Sequence, residues 1–204
     1  MTKLLKDLKN YGSAVILFIL CFQNISAQTY KDSLLSYQQN YINNHEVVGK
    51  DDKKFIHFYP VDESYRVMAS FKRASDAKGF DMNTASGVKQ HYFRYGILTF
   101  KLHNSILHLY VYQSASLLKQ EKFKDYLFVP FGDATSGFES YGGGRYLDFI
   151  ISDIKNNSLV IDFNKAYNPY CAYTTGYNCP IPPEENLLTV PIPAGEKNYE
   201  KPVH

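Results

Sequence analysis

Between Phe55 and Phe163 apolar and polar side chains alternate with a period of two, broken repeatedly by short turn-forming stretches, and this limits the chain to a mainly antiparallel β fold. In Tyr65–Lys72, residues Tyr65, Val67, Ala69 and Phe71 share one face while Arg66, Ser70 and Lys72 share the other. Gln90–Tyr95 is a further strand. The clearest hairpin joins Ile97–His103 to Ile106–Gln113 through Asn104-Ser105, setting Leu98, Phe100 and Leu102 against Leu107, Leu109 and Val111. Tyr126–Phe131 is apolar throughout and predicts an interior strand. A second hairpin is expected from Arg145–Ile151 and Ser158–Phe163, turning at Asn156-Asn157, and a last strand near Leu187–Ile192. The fold class that follows is an antiparallel β-sandwich or β-barrel with one N-terminal helix.

That helix is predicted over Thr29–Asn44, where Tyr30, Leu34, Tyr37 and Tyr41 form one stripe at helical spacing and Asp32 suits the dipole of the first turn. The stripe reads as a docking face onto the domain. Upstream, Lys3, Lys6 and Lys9 precede the apolar run Ala14–Phe22, and Ile25-Ser26-Ala27 supplies small residues before Gln28. This is the pattern of a secretory signal peptide, and the run is too short to span a hydrocarbon core of about 30 Å. The expected organisation is a signal peptide over 1–27, a helix and linker over 28–54, one β domain over 55–197 and a tail over 198–204. The expected location is the periplasm or the extracellular space, with no stable membrane span after cleavage.

Losing Lys3, Lys6, Lys9 and Asp7 with the signal brings the formal charge from +2 to about neutral, which excludes a nucleic-acid partner, because polyanions need clustered cations. Cys21 leaves as well, so Cys171 and Cys179 remain as a pair. In an oxidising compartment they are expected to form a disulfide, and closing so short a loop stabilises by about 2.6 kcal/mol in the chain-entropy model. Neither Cys-x-x-Cys nor His-x-x-x-His spacing occurs and no EF-hand loop is present, so no metal and no cofactor is expected.

Chemistry-bearing residues gather in two loop systems. The first holds Asp133, Thr135, Ser136, Glu139, Tyr141, the glycines Gly142, Gly143 and Gly144, and Arg145. Glycine amides bind anions and Arg145 offers a bidentate clamp for carboxylate or phosphate. Equally, Arg145 pairs with an internal acid such as Asp133 or Asp162, and Asp and Ser serve turn geometry. The second holds Asp162 and Asn164 at a strand end, then Tyr167, Asn168, Tyr170, Cys171 and Cys179, then Glu184, Glu185 and Asn186. Asp162 and Glu185 are the candidate general acid/base groups.

These two clusters resemble the bacterial domain of unknown function 1684 family. The first motif falls on Phe131, Asp133, Thr135, Gly137, Tyr141, Gly144, Arg145 and Tyr146. The second runs through Asp162-Phe163-Asn164, Ala166-Tyr167-Asn168-Pro169, Cys171-Ala172, Cys179-Pro180, Pro182-Pro183 and Glu185-Asn186, closing on Ala194-Gly195-Glu196. Ser140 and Ile181 are mild departures. The resemblance covers Phe55–Lys197 and implies a motif map without a reaction.

Three functional readings are compatible with this sequence. One is a module binding a small polar or anionic ligand through Asp133, Thr135, Ser136, Tyr141, Gly143, Arg145, Asn164, Tyr167, Asn168 and Asn186, the two loop systems converging on one pocket. The second is a hydrolase-like enzyme using Asp162 or Glu185, with Asn164 as orienter. The third is a structural envelope protein in which the motif residues form a buried hydrogen-bond network.

Overall fold

A computed structural model describes residues 28–75 and 78–201; the expected signal peptide lies outside them. A helix, α1, covers residues 28–43, and seven strands follow: β1 Arg66–Arg73, β2 Phe80–Met82, β3 Gln90–Leu102, β4 Ser105–Ser114, β5 Tyr126–Phe131, β6 Arg145–Ile150 and β7 Ser158–Asp162. All the ladders are antiparallel, in the order β6-β5-β4-β3-β1-β7 with β2 added to β3. The sheet curls until its ends approach. Tyr146 on β6 and Tyr167, just past β7, exchange two backbone hydrogen bonds of 2.9 and 3.1 Å.

The β3–β4 hairpin pairs Leu98 with Leu109 and Phe100 with Leu107, as the alternation requires. Its turn sits one residue earlier than Asn104-Ser105, because His103 takes the positive φ and Ser105 already belongs to β4. Gln90–Tyr95 and Ile97–Leu102 form one continuous strand with a bulge between Arg94 and Gly96. The extra residue changes the parity of the faces, so Tyr92 points to one side of the sheet and Leu98 to the other. Gly96 is obligatory here: a Cβ on it would lie 2.2 Å from the Phe71 ring.

β6 and β7 do not form the expected second hairpin. They lie at opposite ends of the strand order, β6 laddered to β5 and β7 to β1. The turn at Ile151–Asp153 ends β6, and Asn156 and Asn157, both at positive φ, close only the tight link between Lys155 and Ser158. The expected strand at Leu187–Ile192 is also absent. Pro191 and Pro193 remove the donors a ladder needs, and the segment instead runs irregularly with Leu188, Ile192, Ala194 and Glu196 buried.

Inside the curl, Leu98, Phe100, Leu109, Leu127, Val129, Leu147, Ile161 and Phe163 form an aliphatic-rich core with Leu188, Ile192 and Ala194. The other face carries a separate aromatic cluster of Tyr92, Tyr112, Phe128 and Tyr146, flanked by Phe80, Tyr110, Tyr126 and Tyr167. Six tyrosines thus serve a second layer. The loop from Tyr167 to Pro183 folds over that layer, held by Tyr146 Oη donating to the Pro180 carbonyl (2.5 Å) and by the Cys171–Cys179 disulfide, whose Cα atoms are 6.2 Å apart. α1 docks through its tyrosine stripe: Tyr30 donates to Asp162, Tyr37 to the Lys165 carbonyl and Tyr41 to Glu196.

Candidate functional site

Arg145 begins β6 with its side chain wholly buried. Its Nη2 donates to Asp133 Oδ2 (2.8 Å) and to the Ile192 carbonyl (2.8 Å), and its Nη1 donates to the carbonyls of Ala194 and Glu196. Asp133 Oδ1 accepts from the amides of Thr135 (2.8 Å) and Ile192 (3.0 Å) and from the Thr135 hydroxyl (2.7 Å). Thr135 and Ser140 share a further hydroxyl contact of 2.8 Å, and Ser136 Oγ accepts from the Asp133 amide. This network clamps the irregular 192–196 segment to the sheet. The segment's backbone pairing is confined to its end, where Glu196 bridges Phe58, and the buried guanidinium takes up the carbonyls of Ile192, Ala194 and Glu196.

The motif asparagines act on backbone in the same way. Asn186 Oδ1 accepts from the Tyr110 amide (2.7 Å), while its Nδ2 donates to the carbonyls of Tyr110 (3.0 Å) and Pro130 (2.7 Å). Pro130 leaves a gap between β4 and β5, and the side-chain amide of Asn186 fills it like a peptide group. Asn164 pairs with the amide and carbonyl of Asp62 (3.0 and 2.8 Å), and Asn168 Nδ2 donates to the Lys197 carbonyl (2.8 Å). Asp162 caps the turn at Phe163–Lys165 and accepts from Tyr30 and Asn164; Glu185 accepts from Arg94 Nε (2.7 Å) and Tyr112 Oη (3.0 Å). The glycine run turns under a proline, since a Cβ on Gly144 (φ +83°) would meet Pro182 Cγ at 2.5 Å; the Tyr141 ring lies against Gly143.

The two loop systems therefore do not meet around Arg145 and Asp162, which share no partner. A groove of about 360 Å³ runs past Asp133, Ser136, Gly142–Gly144, Pro182 and Leu187, but the Asp133 carboxylate is sealed from it. Tyr167 and Asn168 line a different and larger cleft, of about 640 Å³, between α1, the end of β6 and the disulfide loop. Asp148 also lines it, accepting from Tyr126 Oη at 2.6 Å and Tyr167 Oη at 2.8 Å. Tyr37, Tyr41, His45 and Tyr170 contribute the walls.

A family model described as "Protein of unknown function (DUF1684)" matches residues 53–197. The chain belongs to the DUF1684 family. An uncharacterized protein from Haloarcula marismortui, solved in solution by NMR, shares 27% identity and superposes with a TM-score of 0.63, covering 84% of this chain and 96% of that one. No curated protein matches. The match spans both motif clusters and the stretch between them, so the buried clamp and Asp148 both lie within the DUF1684 region.

In this DUF1684 chain the electrostatics of the cleft differ from those of the clamp. Solvent reaches Asp148, yet the surrounding walls crowd it enough that burial raises its pKa, an effect partly offset by the two phenols. Burial and Asp148 in turn push the phenols of Tyr126 and Tyr167 far up, so both remain donors. His45 is held neutral: burial lowers its pKa, and Nδ1 accepts from the Val48 amide (3.2 Å). Behind the wall, burial pushes Glu196 up to about 7, even though Tyr173, the Asn168 amide and Tyr41 all donate to it.

Sequence reasoning missed Asp148, Tyr126, His45 and Tyr173, and singled out Tyr41 only as part of the helix stripe and Glu196 only as part of the closing motif. For Asp148 a signal existed, because it lies two residues beyond Tyr146 on β6 and so shares that aromatic face, opposite Phe128. His45 and Glu196 stand outside any periodic pattern; only the packing of irregular segments brings them to the cleft. Among the described residues no group of His, Cys, Asp and Glu is arranged to hold a metal ion.

Proposed function

We propose that this DUF1684 protein is an exported module that binds a small polar ligand in the Asp148 cleft, with the two motif clusters serving as its scaffold. The observation that carries this reading is the contrast in pairing. Arg145 spends its Nη groups on internal acceptors, whereas Asp148 faces an open cleft and, among the described residues, accepts from two phenols and no cation. An anion clamped by Arg145 would require the guanidinium to leave Asp133 and three carbonyls. The cleft's size falls within the usual range for small-molecule sites, roughly 300–1,000 Å³. A hydrolase built on Asp162 or Glu185 has less support, because one is a buried cap and the other is paired to Arg94.

The test is a thermal-shift screen of small polar metabolites on wild type, Asn40→Trp at the cleft rim and Gly142→Tyr at the smaller groove. A ligand that stabilises wild type and Gly142→Tyr but not Asn40→Trp is the expected result. Stabilisation surviving Asn40→Trp and lost in Gly142→Tyr would move the site to the glycine groove. Export rests on the residue 1–27 pattern and on the disulfide, which suits an oxidising compartment. Mature protein beginning at Gln28 is expected on N-terminal sequencing, and retention of Met1 would contradict it.

A further inference from the structure

Building on the cleft as the binding site, we infer that its ligand is a small organic cation, a primary or quaternary ammonium on a short carbon frame. Four features converge. First, among the described residues neither lysine nor arginine lines the cleft, and the formal charges there are the carboxylates of Asp148 and Glu46. Second, Asp148 has no ion pair among the described residues; each of its oxygens accepts one phenolic hydrogen, which leaves lone pairs for a further donor. Third, the walls are tyrosine rings, whose π faces attract a cation and above all an alkylated one that water solvates weakly.

The fourth feature is unmet hydrogen-bonding capacity. Buried polar side-chain atoms without a partner are rare in folded proteins. Of the four among the described residues, two belong to residues lining this cleft: Asn168 Oδ1, in a residue 1% exposed, and His45 Nε2, in one 7% exposed. Both atoms are sealed from solvent, so a ligand N–H meets Asn168 Oδ1, or a ligand hydroxyl meets His45 Nε2, only once that side chain turns into the cleft. Cations do occur nearby: Arg66, Lys155 and Lys165 line a neighbouring groove with Asp153 and Asp162, and that groove shares Tyr37, Asp148 and Tyr167 with the cleft. Lys165 Nζ stands over the Tyr37 ring at 5.5 Å and forms no ion pair with Asp148.

Titration of the ¹⁵N-labelled chain (residues 28–204) with choline and putrescine, against sorbitol and acetate as neutral and anionic controls, tests this directly. The two cations are expected to shift the amides of Tyr146–Asp148 and Tyr167–Tyr170, and the controls to leave them unmoved. Asp148→Asn should weaken cation binding by about tenfold or more, since a charge-assisted contact is lost. Gly142→Tyr, which fills the smaller groove and leaves the cleft residues in place, should retain binding. The amide shifts of Tyr37, Tyr41 and Tyr170 in unliganded Asp148→Asn should match wild type, which guards against a loss that merely reflects a disturbed wall. Sorbitol or acetate shifting these amides while the cations do not would overturn the cation and leave the cleft as a binding site. Silence from all four probes up to millimolar concentration would overturn both. Equal cation binding by Asp148→Asn would overturn the role given to the carboxylate.

Discussion

Asp133, just past the end of β5, and Asp148, in mid-β6, both carry a carboxylate beside the β5–β6 ladder, and the protein surrounds them in opposite ways. Asp133 is sealed, faces a guanidinium at 2.8 Å and accepts two amides and a hydroxyl. Asp148 lines an open cleft with two phenols and, among the described residues, no cation as partners. The first arrangement completes a charge inside the fold; the second leaves one to be completed from outside. A motif rich in chemical groups is therefore no guide by itself to where chemistry happens. The groups of the DUF1684 signature are directed mostly at backbone that lacks a ladder.

If that division is right, breaking the clamp should cost the most. Arg145→Ala leaves Asp133 and three carbonyls unpaired in the interior, and a loss of about 3–5 kcal/mol in unfolding free energy is expected from urea denaturation. Next comes Asn186→Asp, which keeps shape but cannot donate to the carbonyls of Tyr110 and Pro130. A loss of about 2–3 kcal/mol is expected, and a neutral result would mean that β4 and β5 do not depend on the inserted amide. Replacing both Cys171 and Cys179 by serine should cost about 2–3 kcal/mol and, in the ¹⁵N spectrum, perturb the cleft amides while sparing those of the clamp.

A smaller effect probes the boundary between the two regions. Glu196 has its backbone in the clamp and its carboxyl behind the cleft wall. Its folded pKa of about 7 lies above its ordinary 4.5, so the native state holds the proton more tightly than the unfolded chain. Stability should accordingly fall as pH rises from about 4.5 to about 7 and then level off. Glu196→Gln should flatten that part of the profile of Tm against pH. An unchanged slope would assign the dependence to another group.

Much of the fold was legible because period-two alternation is enforced wherever a strand has one buried face. Leu98, Phe100, Leu107 and Leu109 announced their pairing, and the helix announced its docking stripe. What failed has a physical cause in each case. Chain neighbours usually pair, but the curl of the sheet sends β6 and β7 to opposite ends. Leu187–Ile192 has the composition of a strand and too many prolines on its far side to join one. Residue type alone could not tell whether Arg145 looked inward or outward, because an arginine at the start of a strand suits either. Asn164, Asn168 and Asn186 looked like ligand contacts since a side-chain amide offers the same donor and acceptor to a ligand as to a peptide. The cleft was the least legible feature, because its walls come from α1, β6 and a disulfide loop that share no local pattern.

The same substitution at both carboxylates gives the most direct test. Asp133→Asn and Asp148→Asn remove one charge each with almost no change in shape, and their unfolding free energies can be compared under one set of conditions. Asp133→Asn is expected to lose about 3–5 kcal/mol by stranding Arg145 in the interior. Asp148→Asn, relieved of a crowded charge without a counter-ion, should match or slightly exceed wild type. A large loss at Asp148 with little at Asp133 would contradict the account, since the clamp would then lie in the cleft and the signature network would be dispensable.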